Sequence, residues 1–244
     1  MVHLSNGYRS QRASVHSSLI AANVLLIGPS SIGKNSILDP FVIVGYPIRT
    51  KTQKMMAQKQ RTESLEELFD QISSGATIGS NNHIRAFTTV YEDSCLEDEV
   101  ETGTNVTIRE DCYIGANSII GSGSILDSGV HIGANARIQS STFIPPKVRL
   151  GRDVFVGPAV RFANDKYPVS SRLIGTEVEN GAIIGMGALI MAGITIGQNA
   201  VVAAGSIVTK DVPDGQVVMG TPARLLMTRE EYDQKQEEYQ SRND

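Results

Sequence analysis

Large aliphatic side chains recur at every sixth position along most of the chain. From Ile72 the sequence steps through Ile78, Ile84, Val90, Leu96, Thr102, Ile108, Ile114, Ile120, Leu126, Ile132, Ile138, Ile144, Leu150, Val156 and Phe162, and only Thr102 breaks the apolar run. Four residues after most of these stands a small or β-branched side chain, as at Ala76, Thr88, Val106, Cys112, Ser118, Val130 and Ala136, with Asn82 the polar exception. Glycine often follows the aliphatic, at Gly79, Gly103, Gly115, Gly121, Gly133, Gly151 and Gly157. A period of six matches neither the 3.6 of a helix nor simple strand alternation. It predicts a short strand, a corner and another short strand, with the aliphatic and the small residue inward. Glycine is expected to relieve the backbone where the corner needs unusual dihedral angles. One such turn cannot bury its own apolar face, so turns must stack into a continuous core. The pattern predicts an all-β, parallel β-helix of hexapeptides.

The same period covers Ile20, Leu26, Ile32, Leu38 and Val44, so the coil is expected over residues 19–225, after a polar, flexible arm at 1–18. Residues 46–71 interrupt it. A basic run (Arg49, Lys51, Lys54, Lys59, Arg61) leads into Ser64-Leu-Glu-Glu67, a capping box, and Leu65, Leu68, Phe69 and Ile72 have helical spacing. A loop and a short helix should bulge there, and its cations suit phosphate oxygens. A second excursion spans 163–177, after which the period resumes at Ile184. Thr228-Arg-Glu-Glu231 is another capping box, and a charged helix is expected over 226–244.

If three hexads close one triangular turn, residues eighteen apart stack in outward columns. Tyr91, Arg109 and Asp127 form one; His83, Glu101, Ile119 and Arg137 another; Tyr113, His131, Arg149 and Tyr167 a third, if the turn holding Tyr167 stays regular. Solenoid insertions gather on one side, often the binding side.

Composition narrows the classes. The 244 residues fit one elongated domain, and a net charge of −4 argues against a general nucleic-acid binder. Cys95 and Cys112 lack metal-ligand spacing, so no metal is expected, and Cys112 falls in an inward slot. The start, MVHLSNGYRSQR, lacks the apolar run of a signal peptide, and no stretch is long enough to span a membrane. The expectation is a cytoplasmic protein without membrane partners.

The hexads, Asn164-Asp-Lys-Tyr-Pro168 after an aromatic residue, and the ending Gly205-Ser-Ile-Val-Thr-Lys-Asp-Val-Pro213 with Gly220-Thr-Pro-Ala-Arg224 resemble the hexapeptide-repeat acyltransferases. Within these the chain is most similar to N-acetyltransferases of nucleotide-linked amino sugars, which acetylate a 3-amino group on a UDP- or dTDP-sugar. The resemblance implies a left-handed parallel β-helix, a homotrimer, and acetyl-coenzyme A as co-substrate between neighbouring copies. By the same resemblance Gly185, Gly187, Ala188 and Ala204 would offer backbone contacts to the pantetheine, and Lys210 and Arg224 would sit near coenzyme A phosphates.

The chemistry is attack of a neutral amine on a thioester. It requires attack geometry, a donor to the oxyanion and a proton acceptor. In the family that acceptor is often a His at the slot of Thr104 or Asn105, and this chain has neither. The resemblance then implies Asn105 for amine positioning, with the leaving thiolate collecting the proton. It also implies Asn164 and Asp165 for orienting the sugar or the amine. His131 is a reserve base. Arg49, Arg85, Tyr91 and Arg109 are candidates for the sugar and its phosphates. Alternatives are an O-acetyltransferase of a sugar or serine hydroxyl and a non-catalytic hexapeptide scaffold. A zinc enzyme of the γ-carbonic-anhydrase type would need three His on one site, and His83 and His131 fall on different faces.

Overall fold

The computed structural model describes residues 7–57 and 64–241. Lys59 and Arg61 of the basic run, and His3, lie outside the described residues. Two-residue strands alternate with corners, and every third strand stacks on the same face. Among the described residues the three faces hold ten, nine and eleven strands. On the first face Thr89, Thr107, Ile125, Phe143 and Arg161 lie in parallel register. The second carries Cys95, Tyr113, His131 and Arg149. The third carries His83, Glu101, Ile119, Arg137 and Phe155.

In most strands the second residue points inward. Ile78, Ile84, Val90, Leu96, Ile108, Ile114, Ile120, Leu126 and Ile132 are each at most 1% exposed. Each contributes about 1.5–3 kcal/mol of burial, and the stack makes one core the length of the coil. The two polar exceptions to the inward pattern each accept a bond from the coil, while Asn82 Nδ2 is buried without a partner. Thr102 Oγ1 accepts from the Arg85 N–H at 2.9 Å, and Asn82 Oδ1 accepts from the Val100 N–H at 2.5 Å. Cys112 is buried, and burial pushes its thiol up to about 12.

Two different demands shape each corner. The glycine that follows the aliphatic is there for close approach: a Cβ at Gly115 would lie 2.5 Å from the Ala134 nitrogen of the next turn. The left-handed residue comes two positions later, at Asn105, Asn117 and Asn135 with φ of 56°, 57° and 60°. Asn tolerates that region better than most residues. The expectation that the first glycine supplies the unusual dihedral is therefore corrected.

The ends and insertions differ from the sequence reading in several places. Tyr8–Arg9 and Ser14–Val15 already pair with Leu25–Leu26 and Ser31–Ile32, so residues from Tyr8 belong to the coil and not to a loose arm. Their inward slots follow a five-residue step from Val15 to Ile20, which hides them from a six-residue period. Ile72 is not a hexad residue but the last residue of a helix. The first excursion contains two helices, α1 (Arg49–Met56) and α2 (Leu65–Ile72), the latter closed by the Ser64/Glu67 capping box. After the last parallel turn the chain makes an antiparallel hairpin, Gln216–Gly220 with Ala223–Thr228. The C-terminal helix, α3 (Arg229–Ser241), therefore starts three residues later than expected. Its box is present: the Glu231 N–H donates to Thr228 Oγ1, and the Thr228 N–H to a Glu231 carboxylate oxygen.

Both excursions leave the column at the same place. Tyr46 and Phe162 end first-face strands, and Thr77 and Glu177 start second-face strands. The edge between the first and second faces thus carries both insertions.

Candidate functional site

The predicted site residues divide between two edges. The edge joining the third face to the first carries Asn105. Its corner ladder runs from Asn105 through Gly123, Ser141 and Ala159 to Gly187 and Gly205, each held by a backbone bond to the preceding turn. Four turns at ~4.8 Å each put Gly187 about 19 Å from Asn105 along one straight edge. Arg85 lies in the corner one turn before Asn105. Its only ion pair among the described residues is a 3.8 Å contact with the half-exposed Glu101. The Asn105 side-chain amide is exposed and, unlike those of Asn117 and Asn135, has no hydrogen-bond partner among the described residues.

The opposite edge of the first face carries Arg49, Tyr91, Arg109, Asn164, Asp165 and Lys210. The expected column is real: the Arg109 guanidinium lies 5.1 Å over the Tyr91 ring and 3.6 Å from Asp127. It also donates twice to Glu110, at 2.9 and 3.0 Å, and that bond holds its proton more tightly. Two carboxylates and a ring already occupy Arg109, so it reads as a strut along the edge. Lys51 of the basic run is likewise consumed, by Glu92 at 2.7 Å. Arg49 is exposed at the start of α1.

Asn164 and Asp165 begin the second excursion, across the first face from Asn105 and three turns further along. One copy of the chain does not bring them together. One oxygen of Asp165, Oδ1, is shielded from solvent and has no hydrogen-bond partner. A buried acceptor without a donor is costly, and an amine would supply that donor.

His131 stands on the second face. Its ring stacks on Tyr113 at 4.6 Å, and it lines a cleft of about 410 Å³ with Arg149, Arg152 and Glu177. Burial, then the Arg149 charge, lowers its proton affinity below that of a free imidazole. The column's fourth member is Glu177, not Tyr167, because the excursion intervenes before the next strand. Tyr167 is 77% exposed in the loop.

The residues expected around the donor fall into two cavities. Gly185 and Ala204 line a groove of about 600 Å³ between the third face and α3, with Val201, Val217, Leu226 and Tyr232. Lys210 and Arg224 line a separate cavity of about 400 Å³ at the end of the column. Ala188 does not fit its expected role. Its side chain is fully buried, and its N–H and carbonyl bond to Gly185 and Arg161 within the coil. Gly187 is open, with φ of 67° and no atom within 4 Å of where a Cβ would stand.

Residues 105–144 match the family model described as hexapeptide repeat of succinyl-transferase, and 175–210 the one described as bacterial transferase hexapeptide, six repeats. These two segments are similar to the hexapeptide repeats of bacterial acyltransferases. Among curated relatives, the tetrahydropyridine-dicarboxylate N-acetyltransferase of Clostridium perfringens is 44% identical over 54 residues, 22% of this chain and 23% of that protein. Protein YvoF of Bacillus subtilis is 40% identical over 70 residues, 29% of this chain and 38% of that protein. This hexapeptide-repeat chain therefore spans well under half the length of these curated relatives. Among solved structures, WeeI of Acinetobacter baumannii AYE is 26% identical, with a TM-score of 0.40, covering 56% of this chain and 57% of that one. PerB of Caulobacter crescentus, solved with CoA and GDP-perosamine, is 26% identical with a TM-score of 0.29, covering 57% of each.

Sequence reasoning missed three residues of interest. Glu92 is fully buried beneath the first excursion. Phe41 and Phe87 stand on the Asn105 edge, stacked at 5.1 Å and each about half exposed. A signal for the pair exists in the sequence, since both occupy a slot that Asn, Gly, Ser and Ala fill elsewhere on that edge.

Among the described residues no group of three metal-ligating side chains is assembled, and no helix is long and apolar enough to cross a membrane.

Proposed function

We propose that the protein moves an acetyl group from acetyl-coenzyme A to the amino group of a nucleotide-linked amino sugar, of the UDP- or dTDP-3-amino type, and works as a homotrimer. The observation that carries this reading is the shared edge: an unpartnered amide at Asn105, and an open Gly187 four turns along the same straight line. The acetyltransferase named among the relatives supports the acyl chemistry. The apolar groove at Gly185 and Ala204 suits a pantetheine arm, and the cations Lys210 and Arg224 suit phosphates.

In this reading Asn105 holds the neutral amine by its side-chain oxygen in attack geometry. The amine nitrogen bonds to the thioester carbonyl carbon, and the carbonyl oxygen takes up the negative charge. The C–S bond then breaks, the carbonyl reforms, and the departing thiolate takes the proton that the new amide nitrogen sheds. The Asp165 Oδ1 acceptor orients the amine or a sugar hydroxyl. Since Asp165 and Asn105 stand on different edges of one copy, the excursion of one copy must reach the Asn105 edge of the next. This is why the reading requires an oligomer.

Thiol release from acetyl-coenzyme A, followed across a panel of UDP- and dTDP-amino sugars, tests the proposal. Asn105→Ala should lower kcat about 10²-fold or more without loss of folding. A protein that neither binds coenzyme A nor releases thiol with any amino sugar would be a scaffold, and the reading would fail.

A further inference from the structure

Phe41 and Phe87 are oddly placed for buried-core residues and oddly built for surface ones. They are consecutive rungs of the ladder that leads to Asn105: the Phe87 N–H bonds to the Pro40 carbonyl, and the Asn105 N–H to the Ala86 carbonyl. Both have left-handed backbones, with φ of 65° and 64°, a region that bulky side chains rarely occupy. Their rings are parallel to within 5° at a centroid distance of 5.1 Å, and 48% and 57% exposed. Two parallel rings spaced like the turns themselves leave the outer face of Phe87 turned along the edge toward the Asn105 rung. The Asn105 side chain is short, so that face has no aromatic neighbour. Arg85, weakly paired with Glu101, stands in the same corner two residues before Phe87.

We infer that Phe87, backed by Phe41, is the platform on which the acceptor's pyranose ring stacks, its C–H face against the phenyl plane, its amine at Asn105 and its phosphates toward Arg85. The inference rests on the proposed acetyl transfer at Asn105 and names the part of the acceptor that this edge recognises. The step between rungs decides the occupant. A ring in contact with Phe87 lies within about one turn, ~4.8 Å, of Asn105, so it must be the ring that bears the reacting amine. A nucleobase, separated from that amine by a diphosphate and a ribose, would be held elsewhere. Polarised C–H groups of a pyranose favour the negative face of an aromatic ring. The surrounding cation and free amide satisfy its hydroxyls and phosphates.

The chain has no Trp, so Phe87→Trp installs a single indole, excited selectively over the tyrosines, at the platform of the full-length protein. Titrations would use a dTDP-3-amino sugar, free 3-aminoglucose, dTDP alone and coenzyme A alone. Emission should change saturably with both sugars, more weakly with the free one, and not with dTDP or coenzyme A. In parallel, Phe87→Ala should raise the acceptor KM about tenfold and leave the acetyl-coenzyme A KM in place, and Phe87→Tyr should restore it. A response that follows dTDP alone would assign the platform to a nucleobase, and one that follows protein dilution would assign it to a second copy; either overturns the inference. Thiol release with an unchanged acceptor KM in Phe87→Ala removes the platform but keeps acetyl transfer. A saturable response to the sugars in a protein that releases no thiol keeps the platform and removes acetyl transfer.

Discussion

The two excursions leave the column from the same edge, and the coil holds them in opposite ways. The first is clasped at both roots by one carboxylate. Glu92, with no exposed surface, accepts from the Ile48 N–H at 2.9 Å, the Ser74 N–H at 2.6 Å and Lys51 Nζ at 2.7 Å. Further out, Asp70 of α2 accepts from the Gly28 N–H at 2.7 Å, and the Phe69 ring meets Tyr46 edge-on. The second excursion has few such ties. Side-chain bonds join Ser170 to Arg172 within the loop, and Ile174 packs near Gly193 at its root. Tyr167 and Val169 are exposed, and Asp165 keeps a shielded oxygen without a donor. The contrast teaches that cationic sequence is a poor guide to which insertion serves a ligand. In the basic insert Lys51 is spent on anchoring, whereas the second excursion holds one carboxylate oxygen, Asp165 Oδ1, unsatisfied.

The sharpest way to break the contrast is Glu92→Ala. It removes the acceptor shared by the Ile48 and Ser74 N–H groups and by Lys51, which keeps only Ser74 Oγ at 2.8 Å, and losing hydrogen bonds to a charged group costs about 1.5–3 kcal/mol. Chemical denaturation should read that loss, and limited proteolysis should cut the 47–76 segment first. A loss below about 1 kcal/mol would mean that the clasp is incidental. Acid probes the same group. Burial works to raise the Glu92 proton affinity, but the Lys51 and backbone donors outweigh it and hold the carboxyl below its usual 4.5. A depressed carboxylate stabilises the fold above the unfolded value and loses that contribution as pH falls through the folded one. Protection of the first excursion should therefore fade only below about pH 4.5.

Asp165→Asn should do the reverse in the second excursion. Turnover should fall about 10²-fold, equivalent to ~2.7 kcal/mol, while stability holds or rises because no hydrogen bond of the fold rests on the shielded Oδ1. Equal losses of stability and turnover would make Asp165 a structural residue and erase the contrast.

The column itself is legible because its period is mechanical. Any residue between the excursions can be assigned a face by counting, and Tyr91, Arg109 and Asp127 do stack as counted. Counting fails wherever an insertion has unknown length. It puts Tyr167 beside Arg149, but Glu177 takes that slot. It fails again where the inward residues are not aliphatic, as in the turn holding Ser10, buried at 2%. The site is less legible because the resemblance supplies residue types without edges. Asn105 and Gly187 fall on one edge, Asp165 and Lys210 on another, and only the strand order shows this. Phe87 and Glu92 escape because periodicity reports which side chains point inward, not which rare conformation or buried charge a corner tolerates.

The smallest expected effect concerns His131, which lies on neither of the edges just compared. If transfer occurs along the Asn105 edge, the imidazole on the second face touches nothing that reacts. His131→Phe keeps a ring to stack on Tyr113 and removes the only titrating group of that pair near neutrality. Turnover should change by less than about twofold, under ~0.4 kcal/mol. Burial and Arg149 lower the His131 proton affinity in the folded state. The folded protein then binds fewer protons than the unfolded chain as pH falls below the usual 6.5, and its stability drops there. His131→Phe should flatten that drop. A stability profile flattened below pH 6.5 with turnover intact fits a bystander stacked on Tyr113. A loss of turnover with coenzyme A binding preserved would move the proton acceptor to the second face and leave Asn105 without its role.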